Sequence, residues 1–143
     1  MSKERQFSKR AQKVLLLANL ESERLHCSRI ASEHLLLGAL AYRSPGVGGA
    51  LRKAGLGVKQ LRQYLAQLRS APEPAPRAYA PSMKRALQRS DEHAEELSAR
   101  EIEAEHLLLA VLDETEGAAA RALQNFGVDL GSTRRLVLRQ LGC

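Results

Sequence analysis

Leucine, alanine and valine recur along this chain at helical spacing, and strict alternation of apolar and polar positions is rare. Between about Ser8 and Leu25, the residues Ala11, Val14, Leu15, Ala18 and Leu25 form one stripe, which predicts an amphipathic helix. A matching stripe of Met83, Leu87, Ala94 and Leu97 begins near Pro81, a residue suited to the first turn of a helix. Ser32 reads as the N-cap of a further helix carrying Leu35, Leu36, Leu37 and Leu40. Three consecutive leucines require burial on more than one side, so this helix is expected at the centre. The Gly/Pro-rich stretch from Ser44 to Gly49 then breaks the pattern, whereas Glu114 to Ala118 is friendlier to helix. Short helices around Ala50-Leu51 and Ala122-Leu123 are expected to stop at Gly55 and Gly127, each placed like a left-handed C-terminal cap. Last helices are predicted over about Val58 to Arg69 and Leu130 to Leu141.

These elements come in two sets. Ile30-Ala31-Ser32-Glu33-His34-Leu35-Leu36-Leu37 returns as Ile102-Glu103-Ala104-Glu105-His106-Leu107-Leu108-Leu109, with every equivalent pair 72 positions apart. Aligned at that offset without gaps, residues 7–70 and 79–142 share fourteen identities, and a fixed period of this kind marks a duplicated unit. The expected architecture is all-α: a pseudo-twofold double four-helix repeat of about eight helices. Repeat one spans 7–70, a linker with three prolines spans 71–78 and repeat two spans 79–142. Each half is too small to be comfortable alone, so residues 1–143 are read as one domain.

Composition narrows the function classes. Aromatic residues make up 3% of the chain and Trp is absent, which favours helix-on-helix packing over a sheet core. The net charge of +6 invites anionic partners, but the basic residues are dispersed beside glutamates, which reads as a solvated surface and not a nucleic-acid footprint. No apolar run is long enough to span a bilayer, and the N-terminus lacks a signal-peptide core, so a soluble cytoplasmic protein is expected. Cys27 and Cys143 share no metal or redox spacing. His34 and His106 each lack a second ligand at metal spacing and read as packed structural residues. No nucleophile elbow, H-E-x-x-H or cysteine-base pair is present, so neither an enzyme nor a cofactor or metal site is expected.

Phe7-Ser8-Lys9-Arg10-Ala11-Gln12-Lys13-Val14-Leu15, Ser32-Glu33-His34-Leu35-Leu36-Leu37-Gly38 and the second Glu105-His106-Leu107-Leu108-Leu109 together resemble the Clp amino-terminal domain, most closely that of ClpC-type Hsp100 unfoldases. The resemblance covers residues 7–142. It implies a double four-helix repeat that sits on an AAA+ ring and captures substrates and adaptor proteins for unfolding and degradation. No G-x-x-x-x-G-K-[ST] phosphate loop occurs, so the resemblance stops short of the ATPase. The chain begins with Met1, and a free-standing Clp N-type protein is the expectation. The partners implied are a Clp AAA+ unfoldase or the Clp peptidase, with adaptors or protein substrates. The alternative is a decoy or accessory subunit that sequesters ligands or binds the proteolytic core.

Some ClpC-type domains bind phosphoarginine through the glutamate of each Glu-His motif, which here implies Glu33 and Glu105. A carboxylate takes a guanidinium through paired charge-assisted hydrogen bonds, and a phosphoryl group suits a helix N-terminus. Ser32 would add a hydroxyl in repeat one, where repeat two has Ala104, so the first site is expected to be the better. The competing reading of both glutamates is that acidic residues favour the first turn of any helix. Phe7 and Tyr79 are equivalent and open the two first helices. They are candidates for a peptide or adaptor surface beside an apolar groove between the halves, or simply cover the ends of the bundle.

Overall fold

Ser8 opens the first helix as its residue type predicts, its Oγ accepting a hydrogen bond from the N–H of Ala11 at 3.1 Å. The computed structural model describes residues 5–42, 49, 51–52, 55–68 and 78–142. In these residues the chain forms α1 (Lys9–Arg24), β1 (Arg29–Ile30), α2 (Ser32–Ala41), α3 (Val58–Leu68), β2 (Ala78–Tyr79), α4 (Pro81–Glu96), α5 (Ala104–Asp113), α6 (Ala118–Asn125) and α7 (Leu130–Gln140). The all-α expectation holds. The predicted third helix of repeat one lies mostly outside the described residues, although Leu51 and Arg52 are helical. Of the predicted linker, 71–77 lie outside them too, while Ala78 belongs to β2.

The leucine triplets behave as their continuity requires. Leu35, Leu36, Leu37, Leu107, Leu108 and Leu109 are all buried, and α2 packs on α5 at the centre of the molecule. Around this pair, α1 lies against α2 and α4 against α5. Tyr64 of α3 meets Phe126, at the end of α6, edge to face across the repeats, with ring centroids 5.8 Å apart. Gly55 and Gly127 adopt φ of 96° and 74°, the left-handed conformation expected of a C-terminal cap. Beyond Gly127, Val128 N–H bonds Leu123 O at 2.9 Å, and Leu56 N–H bonds Leu51 O at the same distance, closing the two ends alike.

Short backbone pairings join the repeats reciprocally. β1 and β2 pair in parallel, Ile30 opposite Tyr79, and Phe7 forms a parallel bridge with Ile102. A shift of 72 positions turns one pairing into the other. The matching hydrogen bonds are Ala80 N–H to Ile30 O at 2.9 Å and Ser8 N–H to Ile102 O at 3.0 Å. Each repeat's lead-in segment is therefore anchored beside the central helix of the other repeat. This exchange decides which residues surround each Glu-His motif.

Candidate functional site

Ser32 does not cap α2, contrary to the reading from sequence. The N-cap is Ala31, and Ser32 is the first helical residue, buried. The capping work falls to His34, whose Nδ1 accepts the backbone N–H of Ala31 at 2.8 Å. His106 does the same for Glu103 at 2.8 Å. An imidazole three residues into the helix thus replaces the reaching-back glutamate of a capping box, which explains why no N-cap hydroxyl is needed and why Ala104 serves as well as Ser32. Both histidines are buried. Burial also holds the His106 imidazole below its usual range, hence neutral, and among the described residues its Nε2 has no hydrogen-bond partner.

The two glutamates sit at equivalent places, the second residue of α2 and of α5, both half-buried. Their surroundings differ. Burial pushes the Glu33 carboxyl up, its own backbone N–H offsets this in part, and the carboxylate of Glu114 pushes it up again. Glu114 lies at the end of α5, where the repeat-one equivalent is Tyr42. Among the described residues neither glutamate forms an ion pair.

Glu105 lines a cleft of about 800 Å³ at the junction of the repeats. Glu101, Glu103 and Glu105 of repeat two line it together with Ser8, Lys9 and Arg10 from the start of α1 in repeat one. Leu97, Ser98, Ala99, His106, Gln140 and Leu141 complete it. The junction is therefore charged at this end, not the apolar groove expected. Its cationic half is not legible in the sequence, because only the backbone pairing of Phe7 with Ile102 brings the start of α1 to α5. In the first turn of α1, Ala11 N–H is taken by Ser8 Oγ and Gln12 N–H by Ser8 O at 2.9 Å. The N–H groups of Lys9 and Arg10 are the first two of the helix and have no acceptor within it. With two cationic side chains and the positive end of the helix dipole, they suit an anion. The Ser8 hydroxyl, having accepted one bond, still has its hydrogen to donate.

The equivalent place beside Glu33 is poorer. There Ala80 replaces Ser8, and Pro81, which has no N–H, replaces Lys9. Ser82 replaces Arg10, and its Oγ accepts the N–H of Ser32 at 3.2 Å. The exchange of segments thus brings a second hydroxyl, that of Ser82, to the start of α2 beside Ser32. Phe7 packs half-buried against the core, whereas Tyr79, its equivalent, is 42% exposed. Among the described residues there is no group of three His, Cys, Asp or Glu able to hold a metal, and no helix is long and apolar enough to cross a membrane.

A profile of the Clp repeat (R) N-terminal domain matches residues 6–126 and, again, 78–142. ClpC/MecB of Bacillus subtilis, described as a negative regulator of genetic competence, is 36% identical over 138 residues, covering 95% of this chain and 17% of its own length. The chaperone ClpB of Oceanobacillus iheyensis matches to the same extent. In three dimensions the chain is similar to the N-terminal domain of the Arabidopsis thaliana chaperone ClpD, with a TM-score of 0.82, 22% identity and 96% of each chain covered. The Hsp104 N-terminal domain of Candida albicans gives a TM-score of 0.79 at 13% identity, over 96% of this chain and 92% of that one. The chain belongs to the Clp N-terminal repeat family and spans about a sixth of the length of these curated relatives.

Proposed function

We propose that this Clp N-type domain is a non-catalytic, cytoplasmic recognition module of the Clp protease–chaperone system. It takes protein substrates or adaptors on behalf of a Clp AAA+ unfoldase, and its small-ligand chemistry is that of phosphoarginine. The observation that supports this is the pairing of unlike charges across one cleft: carboxylates at the start of α5 and a cationic helix N-terminus at the start of α1. Phosphoarginine carries both complements in one side chain. Its guanidinium meets the Glu105 carboxylate through charge-assisted hydrogen bonds. Its phosphoryl group meets the N–H groups of Lys9 and Arg10 and the Ser8 hydroxyl.

Glu33 with Ser82 forms a second, weaker site. There the carboxylate must be ionised against burial and Glu114, and the anion end has one N–H fewer because of Pro81. Tyr79, exposed next to that site, is the ring placed to touch the rest of a bound peptide, while Phe7 supports the first turn of α1. Ser32 acts only through its backbone, held by Ser82.

Calorimetric titration with phosphoarginine tests the reading. Glu105→Gln is expected to weaken binding at least tenfold and Glu33→Gln by less. No heat with the unaltered chain at millimolar ligand, or unchanged affinity in Glu105→Gln, would rule it out.

A further inference from the structure

Elsewhere the chain ties its carboxylates to arginines. Glu21 holds Arg62, Asp91 and Glu95 share Arg5, and Asp113 and Glu114 take Arg134 and Arg85. The cleft between the start of α1 and the start of α5 is different. Glu101, Glu103 and Glu105 line it together with Lys9 and Arg10, and among the described residues none of these five forms an ion pair.

The acidic wall follows from the backbone. Ile102 is buried and bridges Phe7, so alternation along this extended stretch turns Glu101 and Glu103 outward on either side of it. The fold does not require either carboxylate, because Arg29 and Ala31 stand at the equivalent places in repeat one, where a histidine completes the helix cap in the same way. His106 lines the same cleft and is 1% exposed. Its Nδ1 accepts from Glu103 N–H, so Nε2 carries the ring hydrogen, and among the described residues that hydrogen has no acceptor. A buried donor left open at the wall of a cleft points to an acceptor brought by a ligand, such as a peptide carbonyl.

These observations deepen the phosphoarginine reading and rest on it. A bound phosphoarginine offers one guanidinium to three carboxylates, while its phosphoryl group answers Lys9 and Arg10. Two carboxylates are then left without a cation. We infer that the repeat-two cleft selects phosphoarginine that has a lysine or arginine beside it in the peptide, and that Glu101 and Glu103 set this preference. A cleft of about 800 Å³ has room for more than one side chain. Repeat one lacks the preference, since Arg29 replaces one of these carboxylates by a cation and Ala31 removes the other.

Fluorescence anisotropy at physiological salt tests this with labelled alanine-based peptides carrying one phosphoarginine, its two neighbours being lysine in one peptide and glutamate in the other. The lysine peptide is expected to bind about fivefold tighter. The net charge of +6 on its own favours the opposite order, so the result separates the local wall from the whole molecule. Glu101→Arg combined with Glu103→Ala installs the residues of repeat one and should bring the two affinities to within about twofold, with the circular dichroism unchanged. Equal affinities in the unaltered chain, or a ratio unmoved by the double change, overturn the inference and leave phosphoarginine recognition standing. Equal binding of the lysine peptide with unmodified arginine, or no binding of either peptide at millimolar concentration, overturns both.

Discussion

The two repeats hold the same helices together with different chemistry. In repeat one, Glu21 of α1 takes Arg62 of α3 in a forked pair, with Nε–Oε2 at 2.8 Å and Nη2–Oε1 at 2.6 Å. The equivalent positions in repeat two are His93 and Arg134. Arginine is kept, but the carboxylate has become an imidazole. Asp113, at the end of α5 where repeat one has Ala41, supplies the missing carboxylate. It accepts from His93 Nε2 at 2.6 Å and from Arg134 at 2.8 Å, with Arg89 at 3.2 Å. Burial would push the Asp113 carboxyl up, yet the bonds from His93 and Arg134 outweigh it and hold the group below the usual carboxylate range. A duplicated fold thus preserves a charged tie between helices while letting its parts move from one element to another. One tie is a forked pair with a longer contact from Arg24 to Glu21 at 3.6 Å; the other is a network of three donors on one carboxylate.

The largest expected effect separates these two designs. Arg62→Ala leaves the Glu21 side chain, 4% exposed, with only the longer Arg24 contact at 3.6 Å and should lower unfolding free energy by about 2 kcal/mol. Arg134→Ala leaves Asp113 with His93 and Arg89 and should cost about 1 kcal/mol or less. Urea denaturation of the two variants measures the difference, and equal losses would show that the network confers no tolerance.

Of the same order is the closeness of the helix pairs. A methyl group on Gly38 would lie 2.5 Å from the Val14 carbonyl oxygen and 2.9 Å from the Ala18 nitrogen, so α1 and α2 are pressed backbone to backbone. Gly38→Ala should cost about 2 kcal/mol. The equivalent of Gly38 is Ala110, so α4 and α5 already accommodate that methyl, and Ala110→Gly should cost about 1 kcal/mol from helix propensity alone. Thermal melts of both variants decide whether the packing is as unequal as this.

A third test reads the candidate sites through pH. With its folded-state carboxyl raised, Glu33 opposes folding when ionised, a penalty absent in acid and present once pH climbs through the raised value. Glu33→Gln should therefore match the unaltered chain below about pH 4 and melt at higher temperature near neutrality, even as it weakens ligand binding. A gap that closes as pH rises would reverse the sign and remove the argument that Glu33 is kept at the expense of stability. The smallest effect should be the same in both halves. His26 and Ser98, equivalent residues just past α1 and α4, adopt φ of 57° and 56°. Glycine at either should add about 0.5 kcal/mol, and unequal gains would indicate unequal helix ends.

Much of this was legible in the residues. The leucine triplets announced two central helices because no amphipathic surface helix tolerates three buried neighbours in a row. Gly55 and Gly127 marked the turns after Ala50-Leu51 and Ala122-Leu123 because few other residues take a left-handed conformation cheaply. Ser32 misled because its residue type suits an N-cap, while the cap is completed from the other direction by His34, whose imidazole reads in sequence as a packed residue. The motif nominates Glu105, but nothing in the sequence joins Ser8, Lys9 and Arg10 to the cleft it lines. Their place beside Glu105 depends on the Phe7–Ile102 pairing, and a single backbone bridge carries too little pattern to be seen in a sequence. The ranking of the sites turns on Pro81 and Glu114, which lie far from Glu33 along the chain.

The most direct test of the account follows backbone amides by nitrogen–proton NMR while phosphoarginine is added to the labelled chain. The account predicts that Lys9, Arg10 and Glu105 shift together at the lowest ligand concentrations, with Ser82 and Glu33 following only at higher ones. Shifts that begin at Ser82 and Glu33, or an unchanged spectrum at millimolar phosphoarginine, would contradict it.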